Sequence, residues 1–310
     1  MTDGTTLVTG AAGCIGAWVV AALAARGMPV TVLDASDNRA RLKLVMEADA
    51  AEAVSWTVGD IADFEGLLHL IKRHDVRSII HLAALQVPFC KADPINGARV
   101  NVVGSVAVFE AAKRVGISRL VYASSVAAVG IGGPPSTLYG VYKAADEGIA
   151  RIYEQDWQVP SIGLRPHTVY GPGRDQGLTS APTLAMVAAA ADTPFEIPFS
   201  GALQMQYAGE VADIFVQATL AEPGGAAVFD LKGSPTTVED IVGAISRVKP
   251  EHQITVAGES LPFPADFSDA ELVQRIGDWE HVGLDLGVAR SIAAFEALVQ
   301  RGLVQAPEKG

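Results

Sequence analysis

Short β-branched and aliphatic runs alternate with longer alanine-rich stretches through the first half of the chain. The runs are "TLVTG" (6–10), "VTVLD" (30–34), "SWTVGD" (55–60), "SIIHLAA" (78–84), "RLVYASS" (119–125) and "SIGLRP" (161–166). They read as strands with both faces covered, because their apolar positions run on with little polar alternation. Between them, residues 17–26, 38–51, 63–73, 98–115 and 139–156 carry apolar side chains at helical spacing. Alternating strands and helices in units of about 25–30 residues predict an α/β fold built on a doubly wound parallel sheet with right-handed crossovers.

After Pro166 the alternation stops. Residues 170–204 are rich in Gly, Pro and polar side chains and predict loops with one helix around 179–191. A helix at 209–220 and a strand at 226–231 are read as returning to the sheet, and 236–310 as a smaller, α-rich lobe. The expected division is residues 1–168, rejoined by 205–233, against 169–204 with 234–310. No internal repeat is visible, and the tail "APEKG" is expected to fray.

Composition narrows the function. The chain has 310 residues, 49% hydrophobic and 19% charged, with a formal charge of −12. That balance argues against a nucleic-acid or anionic-membrane surface, either of which needs a basic field. Cys14 and Cys90 are the only cysteines, so neither a disulfide framework nor a zinc site is expected, and a reducing cytoplasmic compartment is. The opening "MTDGTTLVTG" lacks the charged start and apolar run of a secretory signal. Apolar stretches such as "WVVAALAA" are too short to span a bilayer.

Candidate chemistry begins in "TTLVTGAAGCIGAWVVAALAARG", a strand, a glycine turn and a helix in that order. Gly10 suits the tight turn, Gly13 lets backbone approach a pyrophosphate, and Gly16 allows close helix packing. The helix start, with Cys14 and Ile15, offers unpaired N–H groups and a positive dipole end to that anion. Asp34, eighteen residues past Gly16, ends the second run. There a carboxylate can accept bonds from both ribose hydroxyls and repel a 2′-phosphate, which favours NAD over NADP. Arg39 lies close behind and leaves a 2′-phosphate conceivable. "VGDIAD" (58–63) offers Asp60, followed by Ile61, as an acceptor for the adenine amino group or as a helix cap.

"YGVYK" sets Tyr139 and Lys143 four apart, hence on one helix face. An isolated tyrosine, titrating near ~10, is a weak base at neutral pH. A lysine ammonium and a positive nicotinamide ring beside it favour the phenolate. Tyr139 could then exchange a proton with a substrate hydroxyl while hydride moves at the same carbon. Tyr142 falls on another face and is expected to pack. "VYASSVAAVG" ends its strand at Ser124 and Ser125, on the carboxyl edge of the sheet where ligands of open α/β sheets bind.

With GxxGxxG spacing and these reactive residues, the chain resembles the extended short-chain dehydrogenase/reductases, in their NAD-dependent epimerase/dehydratase branch, and so a Rossmann domain. The family's catalytic serine stands five residues before a closing glycine, here Gly130, so the resemblance makes Ser125 catalytic and Ser124 its neighbour on the substrate side. "HLAA" (81–84) is similar to the segment passing under the cofactor, implicating Leu82, Ala83 and Ala84, with His81 a buried structural residue and Gln86 a substrate contact. "NVVGS" (101–105) implies a structural, relay or cofactor role for Asn101. "LRPHTVYGPGR" (164–174) sets His167 either near the nicotinamide amide or toward solvent.

Nucleotide-sugar epimerases of the family hold a diphosphate with an Asn and an Arg. Here those positions read Thr168 and Leu203 or Gln204, and only 13 residues separate Ser125 from Tyr139. A small polar substrate is therefore expected, met by Thr168 and Arg174, though Arg174 could instead pair with a local Asp. The expectation is an NAD-dependent oxidoreductase acting on a secondary alcohol or ketone of a sugar, sugar acid or polyol. The alternative is a sugar or nucleotide-sugar 4-epimerase with a transient keto intermediate, which needs the same Ser125, Tyr139 and Lys143. A regulatory binding protein that lost its chemistry is disfavoured by that intact set. Val102, Val106, Val108 and Phe109, with Ile149, Ile152 and Tyr153, suggest apolar surface beyond what covers the sheet; with the resemblance, this implies a homodimer.

Overall fold

A computed structural model describes residues 4–130, 133–261, 263 and 267–307. Along the chain run β1 (Thr5–Thr9), α1 (Cys14–Ala25), β2 (Val30–Asp34), α2 (Ala48–Ala53), β3 (Ser55–Val58), α3 (Phe64–Arg73), β4 (Val76–His81), α4 (Val87–Ala92), α5 (Pro94–Ala98), α6 (Gly104–Val115), β5 (Arg119–Ala123), α7 (Leu138–Trp157) and β6 (Ser161–Arg165). There follow β7 (Thr168–Tyr170), α8 (Ala181–Ala190), β8 (Phe195–Ile197), β9 (Ala202–Tyr207), α9 (Ala208–Leu220), β10 (Ala226–Asp230), β11 (Ser234–Thr237), α10 (Val238–Val248), β12 (Ile254–Val256), α11 (Ala270–Ile276) and α12 (Leu284–Gln300).

The chain divides into two compact units, the first Met1–Pro166 with Ala212–Leu231 and Ser268–Trp279, the second His167–Val211 with Lys232–Phe267 and Glu280–Gly310. In the first unit seven parallel strands lie in the order β10-β6-β5-β4-β1-β2-β3. Leu7, Val8, Ile79, Ile80, Leu120 and Val121 are all at most 1% exposed, so consecutive residues on opposite faces are covered and the sheet is doubly wound. On one side α3 packs against α6 and α6 against α7. Phe109 of α6 holds that layer to the sheet, meeting Tyr122 edge-on at 5.6 Å and Tyr153 at 5.4 Å.

In the second unit β9 pairs in parallel with β7 and antiparallel with β11, and β12 pairs with β8. Helix α8 is buried along nearly its whole length among α10, α12 and the strands. Its alanines give it a slim outline, so neighbours approach from several sides. The lobe is thus α-rich but not purely helical. Its strands are three to six residues long, too short for periodicity to register, which is why 170–204 reads as loops with one helix.

Two other expectations change. The helix read over 38–51 is a loop and two short helical pieces, with α2 starting only at Ala48. The Ser36 hydroxyl caps the Asn38 amide and the Asn38 side chain caps Ala40, local bonds that compete with a helix ladder. Residues 98–115 are interrupted by a wide π-helical turn at Arg99–Val103, centred on Asn101. Val108, Phe109 and Tyr153 are buried in the unit's own core and are not surplus surface; exposed large apolar residues on and beside these helices are Val103, Val106, Val115, Leu138, Val141 and Trp157. The tail expected to fray, and Ile131 and Gly132 of the short segment before Tyr139, lie partly or wholly outside the described residues. Among the described residues no helix is long and apolar enough to cross a membrane.

Candidate active site

Strands β1 and β4 are neighbours, yet the chain leaves them toward opposite edges of the sheet. A crevice at the carboxyl ends of such strands is where open α/β folds bind ligands. The glycines of the β1–α1 turn stand there for different reasons. Gly10 has φ +77°, and a Cβ on it would lie 2.6 Å from the Ala83 nitrogen. A Cβ on Gly16 would lie 2.3 Å from the Gly10 oxygen and 2.7 Å from Ala11 Cα. Both are demanded by the protein's own backbone. Gly13 has an ordinary φ of −79°, and a Cβ there would meet only the Gly10 oxygen, at 3.2 Å.

Gly13 also caps α1 without a side-chain bond, and no acidic residue stands in the first turn, which begins with Cys14 and Ile15. A helix start with neither side-chain cap nor carboxylate, beside a position kept bare, fits a pyrophosphate. Asp34 stands next to it. One carboxylate oxygen accepts from the Ala12 amide at 2.9 Å and the other from Ser36 at 3.1 Å, so a fixed negative charge adjoins the loop. Arg41 donates to the Ala12 carbonyl at 2.8 Å.

Arg39 does not serve a 2′-phosphate here. Its guanidinium bonds Asp37 and the carbonyls of Ala51, Glu52 and Val54 and stacks on Trp56 at 5.0 Å. Asp60 is also engaged, through the Ala62 amide at 2.9 Å and an ion pair with Arg99. Burial raises its carboxyl, but Arg99 and the Ala62 amide outweigh this and hold it below the usual range. Ile61 is buried where a Cβ on Gly104 would come within 2.7 Å of it.

A buried polar chain braces the floor of this crevice. Thr9 Oγ1 accepts from the amides of Leu82 at 3.2 Å and Ala83 at 3.3 Å, so its own proton goes to His81 Nδ1, 2.8 Å away. That leaves the His81 proton on Nε2, facing Ser105 Oγ at 3.2 Å, and Ser105 donates to the Asn101 carbonyl at 2.6 Å. Complete burial, with the Lys143 charge adding, pushes His81 down to about 3. Asn101 grips the Leu85 amide at 2.7 Å and its carbonyl at 2.9 Å. Its side chain is therefore a brace for the segment holding Leu82, Ala83 and Ala84, in keeping with the structural role among those expected of it. Gln86, at the start of α4, is exposed.

Ser125 follows β5 and caps the next short helical turn, accepting from the Ala127 amide at 3.2 Å. Its own proton remains available to a reacting oxygen. Tyr139 lies in the first turn of α7, capped by Thr137. The next residue makes the approach possible: a Cβ on Gly140 would lie 2.4 Å from the Ala127 carbonyl. Lys143 is 2% exposed; its ammonium donates to the Ala123 carbonyl at 2.8 Å and to Asp146 at 3.3 Å and lies 6.0 Å from the Tyr139 ring centre. Tyr142 bonds the Pro94 carbonyl and packs, as read.

Ser124 departs from its expected place on the substrate side. It is 2% exposed and donates to Glu147, whose carboxylate takes two bonds of 2.7 Å from Arg165, and Arg165 reaches Asp230 at 3.3 Å. Ser124 thus belongs to a polar tie joining β5, α7, β6 and β10.

Three expected contacts fall in the second unit. His167 Nδ1 accepts from the Thr168 amide at 2.8 Å, and its ring stands 5.3 Å from both Phe263 and Phe267. Thr168 is buried, as are Leu203 and Gln204, the latter accepting from the Gly233 amide at 2.9 Å. Arg174 bonds the Gln176 carbonyl and, at 2.8 Å, the Thr179 hydroxyl. Sequence reasoning passed over Gly140, Asp146 and Glu147. For Gly140 and Asp146 a signal existed: a glycine beside the reactive tyrosine, and an acid three residues beyond the lysine.

The model of the NAD dependent epimerase/dehydratase family matches residues 6–226. A UDP-glucose 4-epimerase of Mycolicibacterium smegmatis is 30% identical over 313 residues, covering 94% of this chain and 98% of that one. An L-threonine dehydrogenase structure from Clostridium difficile covers 97% of this chain and 99% of its own at TM-score 0.83 and 19% identity. A UDP-glucose 4-epimerase from Thermotoga maritima, solved with UDP-glucose, covers 95% and 99% at TM-score 0.79 and 21% identity. These two likenesses establish the fold.

Two outcomes are expected. Gly140→Ala should push α7 off the Ala127 turn and lower turnover about a hundredfold while NAD affinity holds; activity within threefold of wild type would contradict the close approach. For His81, the unfolded chain binds a proton below its ordinary value of 6.5 that the folded chain refuses until about 3. Stability from this group is therefore complete above 6.5 and lost as pH falls toward 3. The stability lead of wild type over His81→Asn should shrink by roughly 2 kcal/mol between pH 7 and pH 5; an unchanged lead in urea titrations would contradict a neutral buried imidazole.

Proposed function

The chain belongs to the NAD dependent epimerase/dehydratase family, among the extended short-chain dehydrogenases/reductases, and we propose that it is a dehydrogenase for the secondary alcohol or ketone of a small polar substrate such as a sugar, sugar acid or polyol. The first unit holds NAD, through the bare position at Gly13, the start of α1 and the Asp34 carboxylate, and the second unit recognises substrate. Held there, the nicotinamide would supply the redox chemistry, as hydride acceptor in its oxidised form and hydride donor in its reduced form. Tyr139 takes the alcohol proton on oxidation and returns it on reduction. Ser125 donates its hydroxyl to the reacting oxygen and holds it in line, which suits a group whose side-chain bond among the described residues is an accepted one. Lys143 supplies the positive charge that favours the phenolate.

The observation that carries the choice of substrate is the character of Thr168, Leu203 and Gln204, which are uncharged and buried. By the family resemblance, Thr168 and either Leu203 or Gln204 stand where nucleotide-sugar epimerases hold a diphosphate. Without charged partners a diphosphate forgoes bonds worth about 1.5–3 kcal/mol each. The structural neighbour named for L-threonine, itself a small secondary alcohol, supports the same reading. A second reading, a 4-epimerase, is favoured by 30% identity to a UDP-glucose 4-epimerase over nearly the whole chain.

The exposed Val103, Val106, Leu138 and Val141 favour a two-fold contact through α6 and α7, so the protein is assigned as a homodimer. With only two cysteines in the chain, a reducing cytoplasm suits it.

A panel of sugars, sugar acids and hydroxy acids with NAD should yield free NADH that accumulates with turnover. UDP-glucose converted with no NADH released would favour the epimerase reading instead. Tyr139→Phe should lower the rate by roughly 10²–10⁴-fold with NAD affinity nearly unchanged; more than half the activity retained would contradict the mechanism. Light scattering is expected to give about twice the chain mass of 32.3 kDa, and the mass of a single chain would refute the dimer.

A further inference from the structure

The ammonium of Lys143 is withdrawn from water, and a buried cation without a counter-charge costs several kcal/mol. An ammonium has three donors. The Ala123 carbonyl takes one at 2.8 Å and Asp146 Oδ2 another at 3.3 Å, which leaves one for the cofactor or for Tyr139. Of these partners only Asp146 carries a full charge. Asp146 is itself 1% exposed; among the described residues its second oxygen, Oδ1, accepts no hydrogen bond, the nearby Ser105 hydroxyl being turned to the Asn101 carbonyl. A carboxylate kept half-satisfied in a protein core is costly.

We propose that Asp146 is a positioning residue of the acid–base step, its carboxylate fixing the Lys143 ammonium and keeping it charged beside Tyr139. The inference rests on the assignment of Tyr139 and Lys143 made above. Burial pushes the Asp146 carboxyl up, and the adjacent ammonium opposes this. The other titratable groups facing the pair are Tyr139 and Glu147 on α7, His81 on β4, Tyr122 on β5 and Cys90 on α4. His81 stays neutral at working pH, so Asp146 is the nearest acid to the ammonium.

The sign of the effect follows from distances. Asp146 is seven residues from Tyr139, about 10 Å along the helix, but 3.3 Å from Lys143 Nζ. Its direct repulsion of a phenolate is therefore roughly a third of its hold on the ammonium at equal screening. Losing the carboxylate then costs Tyr139 its cation more than it relieves repulsion.

The test needs no substrate. Phenolate absorbance of the NAD-saturated protein is titrated with pH for wild type, Tyr139→Phe, Asp146→Asn and Asp146→Glu. Wild type should show a phenolate step absent from Tyr139→Phe. Asp146→Asn should move that step up by at least one pH unit, and Asp146→Glu should restore it to within half a unit. A step unmoved or moved down in Asp146→Asn overturns the proposal, and so does failure of Asp146→Glu to restore it. Identical titrations of wild type and Tyr139→Phe overturn instead the assignment of Tyr139, and the inference with it. Should Asp146→Asn not fold, Asp146→Leu, of similar volume and with no polar atom to leave unpaired, carries the same test.

Discussion

Everything at the candidate site depends on backbone meeting backbone where β1 and β4 part. Gly10 lies against Ala83, and Gly16 against Gly10 and Ala11, at separations that no side chain would permit. Those contacts fix the turn, start α1 at Cys14, and align the amides of Leu82 and Ala83 on the Thr9 hydroxyl. At Gly13, by contrast, a Cβ would meet only the Gly10 oxygen, at 3.2 Å, so the turn leaves that position bare. Gly140 repeats the close approach against Ala127, and there it brings the reactive tyrosine near the serine turn.

The polar groups beneath do not float in the core; each has its direction fixed by the next. Thr9 sets the tautomer of His81, His81 faces Ser105, and Asn101 holds Leu85. On the other side Glu147 ties Ser124 and Arg165. Such networks are expensive when half-satisfied and rigid when complete. In the Lys143–Asp146 pair one carboxylate oxygen is left over among the described residues.

How much of this the sequence displayed follows from the range of each signal. The glycine spacing, Asp34, and Tyr139 with Lys143 all act within one strand–turn–helix or one helical face, so periodicity and spacing suffice to read them. The sheet itself was legible for the same reason, since its strands are five or six residues of apolar chain in most cases. Ser124 was misread because its partners Glu147 and Arg165 come from other elements. Asn101 was left between structural and chemical roles because its grip on Leu85 sits in a π-helical turn that spacing does not announce. Residues 38–51 failed because short polar side chains bonded their own backbone.

The central claim is that the glycine turn and Asp34 together form an NAD site. Calorimetric titration of the unaltered protein with NAD and with NADP tests it most directly. The account predicts NAD at least tenfold tighter, a difference of about 1.4 kcal/mol, narrowed in Asp34→Ser. NADP binding as tightly as NAD, or more tightly, would contradict it.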